Sequence, residues 1–201
     1  NEVLTFYNIF APATAFKWSV EGADKKLAQF IKEDKYAVLY ALSVIAKNTQ
    51  AVAEAVISEG KADGIYLSVQ TIQDAFVGPD LYAEVISPSE LSVLNAAIGA
   101  GGKNILHVCG YEGARNNLSL FKNYPANAVN FASVVEGVSL AEAKKIFGGK
   151  TIIGGFANTT DGILFSGTKE EIQAETKRIL KDSGRTGIIL GADCTIPRST
   201  D

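Results

Sequence analysis

Methionine is absent from the 201 residues, cysteine occurs twice, and histidine and tryptophan occur once each. Without methionine the sequence does not open on an initiator residue. It reads as an excised piece, or as a sequence from which methionines have dropped out, in which case the spacings used below are minima. Two cysteines cannot build the disulfide framework of a small secreted domain, although they allow a single bridge. The lone His107 stands two residues from Cys109, which turns the reading toward metal or thiol chemistry. The count by itself leaves both open.

Long apolar runs are missing too. Nothing approaches the roughly 20 residues that span a bilayer, and the N-terminus lacks the charged, apolar and small-residue succession of a signal peptide. A cytoplasmic protein with no membrane partner is expected. Excess positive charge is equally absent: 19 Lys and Arg against 22 Asp and Glu leave a net charge of −3. No Lys/Arg cluster is interleaved with aromatics, so nucleic acid is not an expected partner. No linker or low-complexity segment interrupts the chain. With 47% hydrophobic and 20% charged residues there is ample material for one core, and a single domain over residues 1–201 is expected.

What is present is an alternation of short β-branched runs with longer amphipathic stretches, the pattern of successive βα units on a parallel sheet. Strands are predicted over Val3–Ile9, Gly64–Val69, Asn104–Cys109, Ala128–Ala132, Thr151–Phe156 and Gly187–Gly191. Between them, Ala23–Glu59 predicts one or two helices, closed by Gly60. A helix through Ile98 is predicted to start at Ser87-Pro88-Ser89-Glu90, capped by Ser87 or Ser89. Ser139 with Glu142 and Thr168 with Glu171 each spell a capping box, ahead of helices that end at Gly148-Gly149 and Gly184. Such elements suit a barrel or a doubly wound sheet. The glycine groupings Gly99-Ala100-Gly101-Gly102 and Gly154-Gly155 lack the register of a dinucleotide-binding turn.

Five pieces in this order, Asn104-Ile-Leu-His-Val-Cys-Gly110, Leu140-Ala-Glu-Ala-Lys-Lys-Ile-Phe-Gly-Gly-Lys150, Gly154-Gly155, Gly167-Thr-Lys-Glu-Glu-Ile172 and Gly187-Ile-Ile-Leu-Gly191 with Ile196-Pro197, resemble the uroporphyrinogen decarboxylase superfamily. The likeness covers about the last hundred residues well. Ala11-Pro12-Ala13-Thr14 is similar to that family's third-strand loop, and Ala23–Ala100 matches loosely. The resemblance implies an α/β fold of the TIM (β/α)8-barrel type, with the six predicted strands standing as the third to the eighth. A barrel with two neighbouring strands missing would have two edges to cover, so a homodimer or a trimmed chain is expected.

His107 and Cys109 lie two apart in a strand, so their side chains leave one face about 6–7 Å apart along the backbone. Cys194 follows the last predicted strand at its carboxyl end, the face on which barrel enzymes place their sites. One imidazole and two thiolates suit zinc and leave a fourth position for water or substrate. The bland alternative makes His107 and Cys109 core residues and Cys194 an inert loop thiol. The superfamily branch with a similar His-x-Cys and later Cys is the methylcobamide:thiol methyltransferases. That resemblance implies Zn2+, a small-molecule thiol substrate and a corrinoid methyl carrier on a partner protein. The branch that decarboxylates tetrapyrrole acetates in porphyrin biosynthesis relies on a His in the last-strand loop; here that loop reads Gly191-Ala-Asp-Cys-Thr-Ile-Pro197. A lyase of that kind, and a barrel that binds a corrinoid protein without turnover, remain alternatives.

Residues just past other strands would line the same mouth. Asn8, Tyr66, Ser68, Gln70 and Asn158 are candidate cofactor contacts, with Phe10, Asn130 and Phe156 beside them. Glu136 is a candidate fourth ligand or base, and otherwise a solvated loop carboxylate. Asp193 is a candidate partner that orients His107, and otherwise a helix cap. Asn158 stands where the family has a Gly-Asn-x-Asp-Pro loop, but the run here, Gly155-Phe-Ala-Asn-Thr-Thr-Asp161, has no proline.

Overall fold

The computed structural model describes residues 3–21, 23–71, 77–110, 114–198 and 200, without the side chains of 23–25. Among the described residues, six strands run in sequence order in one sheet: β1 (Phe6–Phe10), β2 (Gly64–Val69), β3 (Ile105–Val108), β4 (Ala128–Phe131), β5 (Thr151–Phe156) and β6 (Ile188–Ala192). The β1–β2, β4–β5 and β5–β6 pairings are parallel. Parallel neighbours need crossover connections, and helices supply them. This is the α/β, (β/α)8-type architecture, represented by six strands. By internal contacts the chain falls into two compact units, Asn1–His107 with Asn123–Asn127, and Val108–Lys122 with Ala128–Asp201.

In the first unit, β1 leads into α1 (Pro12–Ser19), then α2 (Ala23–Glu33) and α3 (Lys35–Ser58). Asp34 splits the long stretch into two helices: its carboxylate caps α3 by accepting from the Ala37 N–H at 2.9 Å. Leu27, Ile31, Val38, Leu42, Ala46 and Ala53 recur at helical spacing and are all buried. In β2, Ile65, Leu67 and Val69 are fully buried, with Gly64 and Ser68 buried beside them, as expected of a strand covered on both faces. A Cβ at Gly64 would lie 1.8 Å from the Lys103 carbonyl oxygen, so only glycine permits this close approach. Nearby, the Asn104 side chain accepts from the Ile65 N–H, and the Asn104 N–H donates to the Asn127 side chain.

The chain is helical from Pro79: α4 (Pro79–Leu81) runs through a π turn (Tyr82–Ile86) into α5 (Ser87–Gly99). The α-helix proper starts at Ser87 as expected, but its expected cap is corrected. Neither Ser87 nor Ser89 is a cap, since the residue at the N-cap position, Ile86, is itself helical, and the Ser89 hydroxyl donates back to the Ile86 carbonyl. Pro88 explains the widening. It has no N–H and its ring would clash with the carbonyl one turn back, a conflict that a π turn relieves without ending the helix.

In the second unit a 3-10 turn (Leu118–Phe121) precedes β4, which is followed by α6 (Ser133–Glu136) and α7 (Leu140–Ile146); β5 leads to α8 (Ile163–Ser166) and α9 (Lys169–Ser183). Both capping boxes form as expected, Ser139 with Glu142 and Thr168 with Glu171. Phe131 and Phe147 meet with centroids 6.4 Å apart over a core that includes Val129, Leu140 and Ile152. Gly154 and Gly155 hold φ of +142° and +109°, a conformation costly for other residues, in the middle of β5. Among the described residues no helix is long and apolar enough to cross a membrane.

Candidate metal centre

His107 is the third residue of β3, and Cys109 immediately follows that strand. Cys194 comes two residues after β6 ends. The imidazole nitrogen and the two sulfurs all lie within 4.8 Å of one another. His107 is buried and both cysteines are half-buried. A tetrahedral zinc with bonds of about 2.0 Å to nitrogen and about 2.3 Å to sulfur would set its donors roughly 3.5–3.8 Å apart. The donor chemistry and spacing therefore fit a zinc ion.

The surroundings hold these side chains in place. The Tyr66 ring stacks on the His107 ring, centroids 5.1 Å apart and planes 24° from parallel. Asn8 faces Tyr66 in the β1–β2 register and is exposed, and Phe10 faces Ser68. Ser68 and Gln70 are buried at the carboxyl end of β2, where the Ser68 carbonyl accepts from the Ala11 N–H at 2.9 Å. On the loop after β5, the Asn158 amide donates to the Thr195 carbonyl at 3.1 Å, tying that loop to the residue after Cys194.

Both candidate carboxylates are buried, and both accept several hydrogen bonds. Asp193 takes the Ser133 hydroxyl, the Val134 N–H and the Gly155 N–H, all at 2.9–3.0 Å. It therefore caps α6, a helix that precedes it in the chain. Burial pushes its pKa up and the neighbouring Cys194 adds to this, while the three donors pull the other way. The turn of positive φ at Gly154-Gly155 makes room for it, since a Cβ at Gly154 would come 3.0 Å from the Asp193 Oδ1. Glu136 is no solvated loop group either. It accepts from the Asn116 N–H at 3.0 Å and from the Asn116 side-chain amide at 2.7 Å, and that amide also donates to the Cys109 carbonyl at 3.0 Å. Arg115 donates to the Glu136 carbonyl. Asn130 cross-links three strands by donating to the Ile153 and Ala192 carbonyls.

Sequence reasoning missed Asn116, in an irregular stretch, and Ser133, which opens the one-turn helix α6; neither has a periodicity to mark it. It also missed the buried Glu90, read there as part of a helix start. Tyr82 donates to Glu90 at 2.9 Å and Tyr124 at 2.6 Å, and burial lifts its pKa to about 7. The flanking serines disguised it as a first-turn acid.

A barrel-type α/β chain with a His, Cys, Cys cluster at its strand ends is thus defined. Its sequence matches the family profile described as Uroporphyrinogen decarboxylase (URO-D) over residues 1–201, and the chain belongs to that family. Among curated proteins no match is found.

Proposed function

We propose that this chain acts as a zinc-dependent methyltransferase, moving a methyl group between a corrinoid carrier and a thiol. The observation that carries the reading is the convergence of the His107 nitrogen and the Cys109 and Cys194 sulfurs within 4.8 Å. Three protein donors leave one position for a substrate, the usual arrangement of catalytic rather than structural zinc.

His107, Cys109 and Cys194 would hold the ion as a neutral imidazole and two thiolates, releasing the thiol protons on binding. Bound zinc supplies the Lewis acidity that keeps a substrate thiol deprotonated near neutral pH. Tyr66 stacking limits rotation of the His107 ring, so its donor nitrogen is pre-aimed. The transfer forms a carbon–sulfur bond and breaks a carbon–cobalt bond, with the bonding electron pair left on the cobalt of a corrinoid held by a partner protein. Within the first unit, Asn8 on β1 and Ser68 and Gln70 at the end of β2 would contact the substrate or carrier.

The test is methyl transfer from methylcobalamin to a small thiol, followed by the change in the corrinoid spectrum. The expected result is turnover by the native chain and its loss in Cys194→Ser. Decarboxylation of a tetrapyrrole acetate that survives Cys194→Ser with no change in metal content would replace this reading with the lyase.

A further inference from the structure

Cys109 and Cys194 are 85 residues apart in sequence, and something must set the gap between their sulfurs. In the second unit, both cysteine-bearing segments are bonded to the same four-residue helix. At one end of α6, Ser133 and Val134 donate to Asp193, the residue before Cys194. At the other, Glu136 accepts from Asn116, whose amide holds the Cys109 carbonyl. The Glu136 Oε1 also packs against the next residue, Gly110, where a Cβ would sit 3.1 Å away. Gly137, in the left-handed region at φ +63°, ends the helix after one turn. Across this single turn the two segments stay close, and their sulfurs lie within 4.8 Å of each other.

We propose that α6 is a spacer that fixes the Cys109–Cys194 separation, with Asp193 and Glu136 as positioning residues, Glu136 thus being neither base nor fourth ligand. Asp193 accepts from donors at the start of the helix, and Glu136, at its end, accepts from Asn116. Asp193 reaches one cysteine through the main chain, and Glu136 reaches the other through Asn116. The inference deepens the zinc reading, but the spacing of the two sulfurs is testable without zinc.

The experiment uses the full chain and two probes. Zn2+ affinity is measured by chelator competition. Separately, phenylarsine oxide is added to metal-stripped protein; it condenses with two neighbouring thiols, forming two arsenic–sulfur bonds and releasing water. Variants are Asp193→Asn and Glu136→Gln, which keep side-chain volume, with Asn116→Ala and Ser133→Ala in reserve should either fail to fold. Ile179→Val, a core change in α9, controls for lost stability alone. The expected result is a ten- to hundred-fold drop in Zn2+ affinity and at least about a tenfold slowing of arsenical bridging in the α6 variants. The control should keep native values at a similar melting temperature. Native-rate bridging in the α6 variants, or equal slowing in Ile179→Val, overturns the spacer, as does a native chain that the arsenical does not bridge. If the native chain takes up no Zn2+ while bridging still depends on Asp193 and Glu136, the spacer stands and the zinc reading falls.

Discussion

The two compact units bury their carboxylates in opposite ways. In the first, Glu90 sits midway along a helical run, sealed completely and met by two phenol hydroxyls, from Tyr82 and Tyr124. In the second, Asp193 sits just past a strand and accepts from two backbone N–H groups and a hydroxyl contributed by other segments. Phenols are weak compensation for a buried charge, so Glu90 rises to about 7. Backbone donors cannot be withdrawn, so Asp193 serves to hold strand ends together. One carboxylate stores a proton, and the other fixes a backbone. Burial lifts the pKa of both acids, and their different partners set what each holds in place.

The sharpest way to break that contrast is Asp193→Ala. It would strand three buried donors, at a cost of roughly 4 kcal/mol, read as a loss of denaturant midpoint. A loss under about 1 kcal/mol would mean that water or neighbouring groups replace the carboxylate.

Next comes pH. Glu90 has a folded pKa above its ordinary 4.5, so the folded state binds its proton more tightly than the unfolded chain does. The stability this gives is complete below about pH 4.5 and is lost as pH rises to about 7, a change of roughly 3 kcal/mol. In Glu90→Gln that slope should vanish from the unfolding curves. A variant that keeps the native pH profile would show that Glu90 titrates alike in the folded and unfolded chain. Asp193, also raised, contributes with the same sign.

The smallest expected effect is at the helix caps. Ser139→Ala and Thr168→Ala should each cost about 1 kcal/mol with no change in metal content, since both caps are solvent-exposed.

Legibility in the sequence divides along similar lines. The β2 and β5 boundaries and both capping boxes were readable, because β-branched runs between turn residues and Ser/Thr-x-x-Glu spacings are local signals. β1 was predicted too early: Val3 and Leu4 are apolar but well exposed, and the strand starts at Phe6. Ala11-Pro12-Ala13-Thr14 is loop-like by resemblance, yet Pro12 opens α1. The π turn depends on a proline that pattern reading takes as a start signal. At the site, the His-x-Cys pair and the later Cys were legible from ligand chemistry. Asn116 and α6 were not, because a single helical turn has no period and an Asn in an irregular segment gains meaning only from what lies across from it.

Everything functional depends on the three donors holding one ion. The most direct measurement is elemental analysis of chain purified without chelator, native beside Cys109→Ala. Stoichiometric zinc in the native protein, lost in the variant, is the predicted result. Native protein without zinc, or a variant that retains it undiminished, would contradict the account.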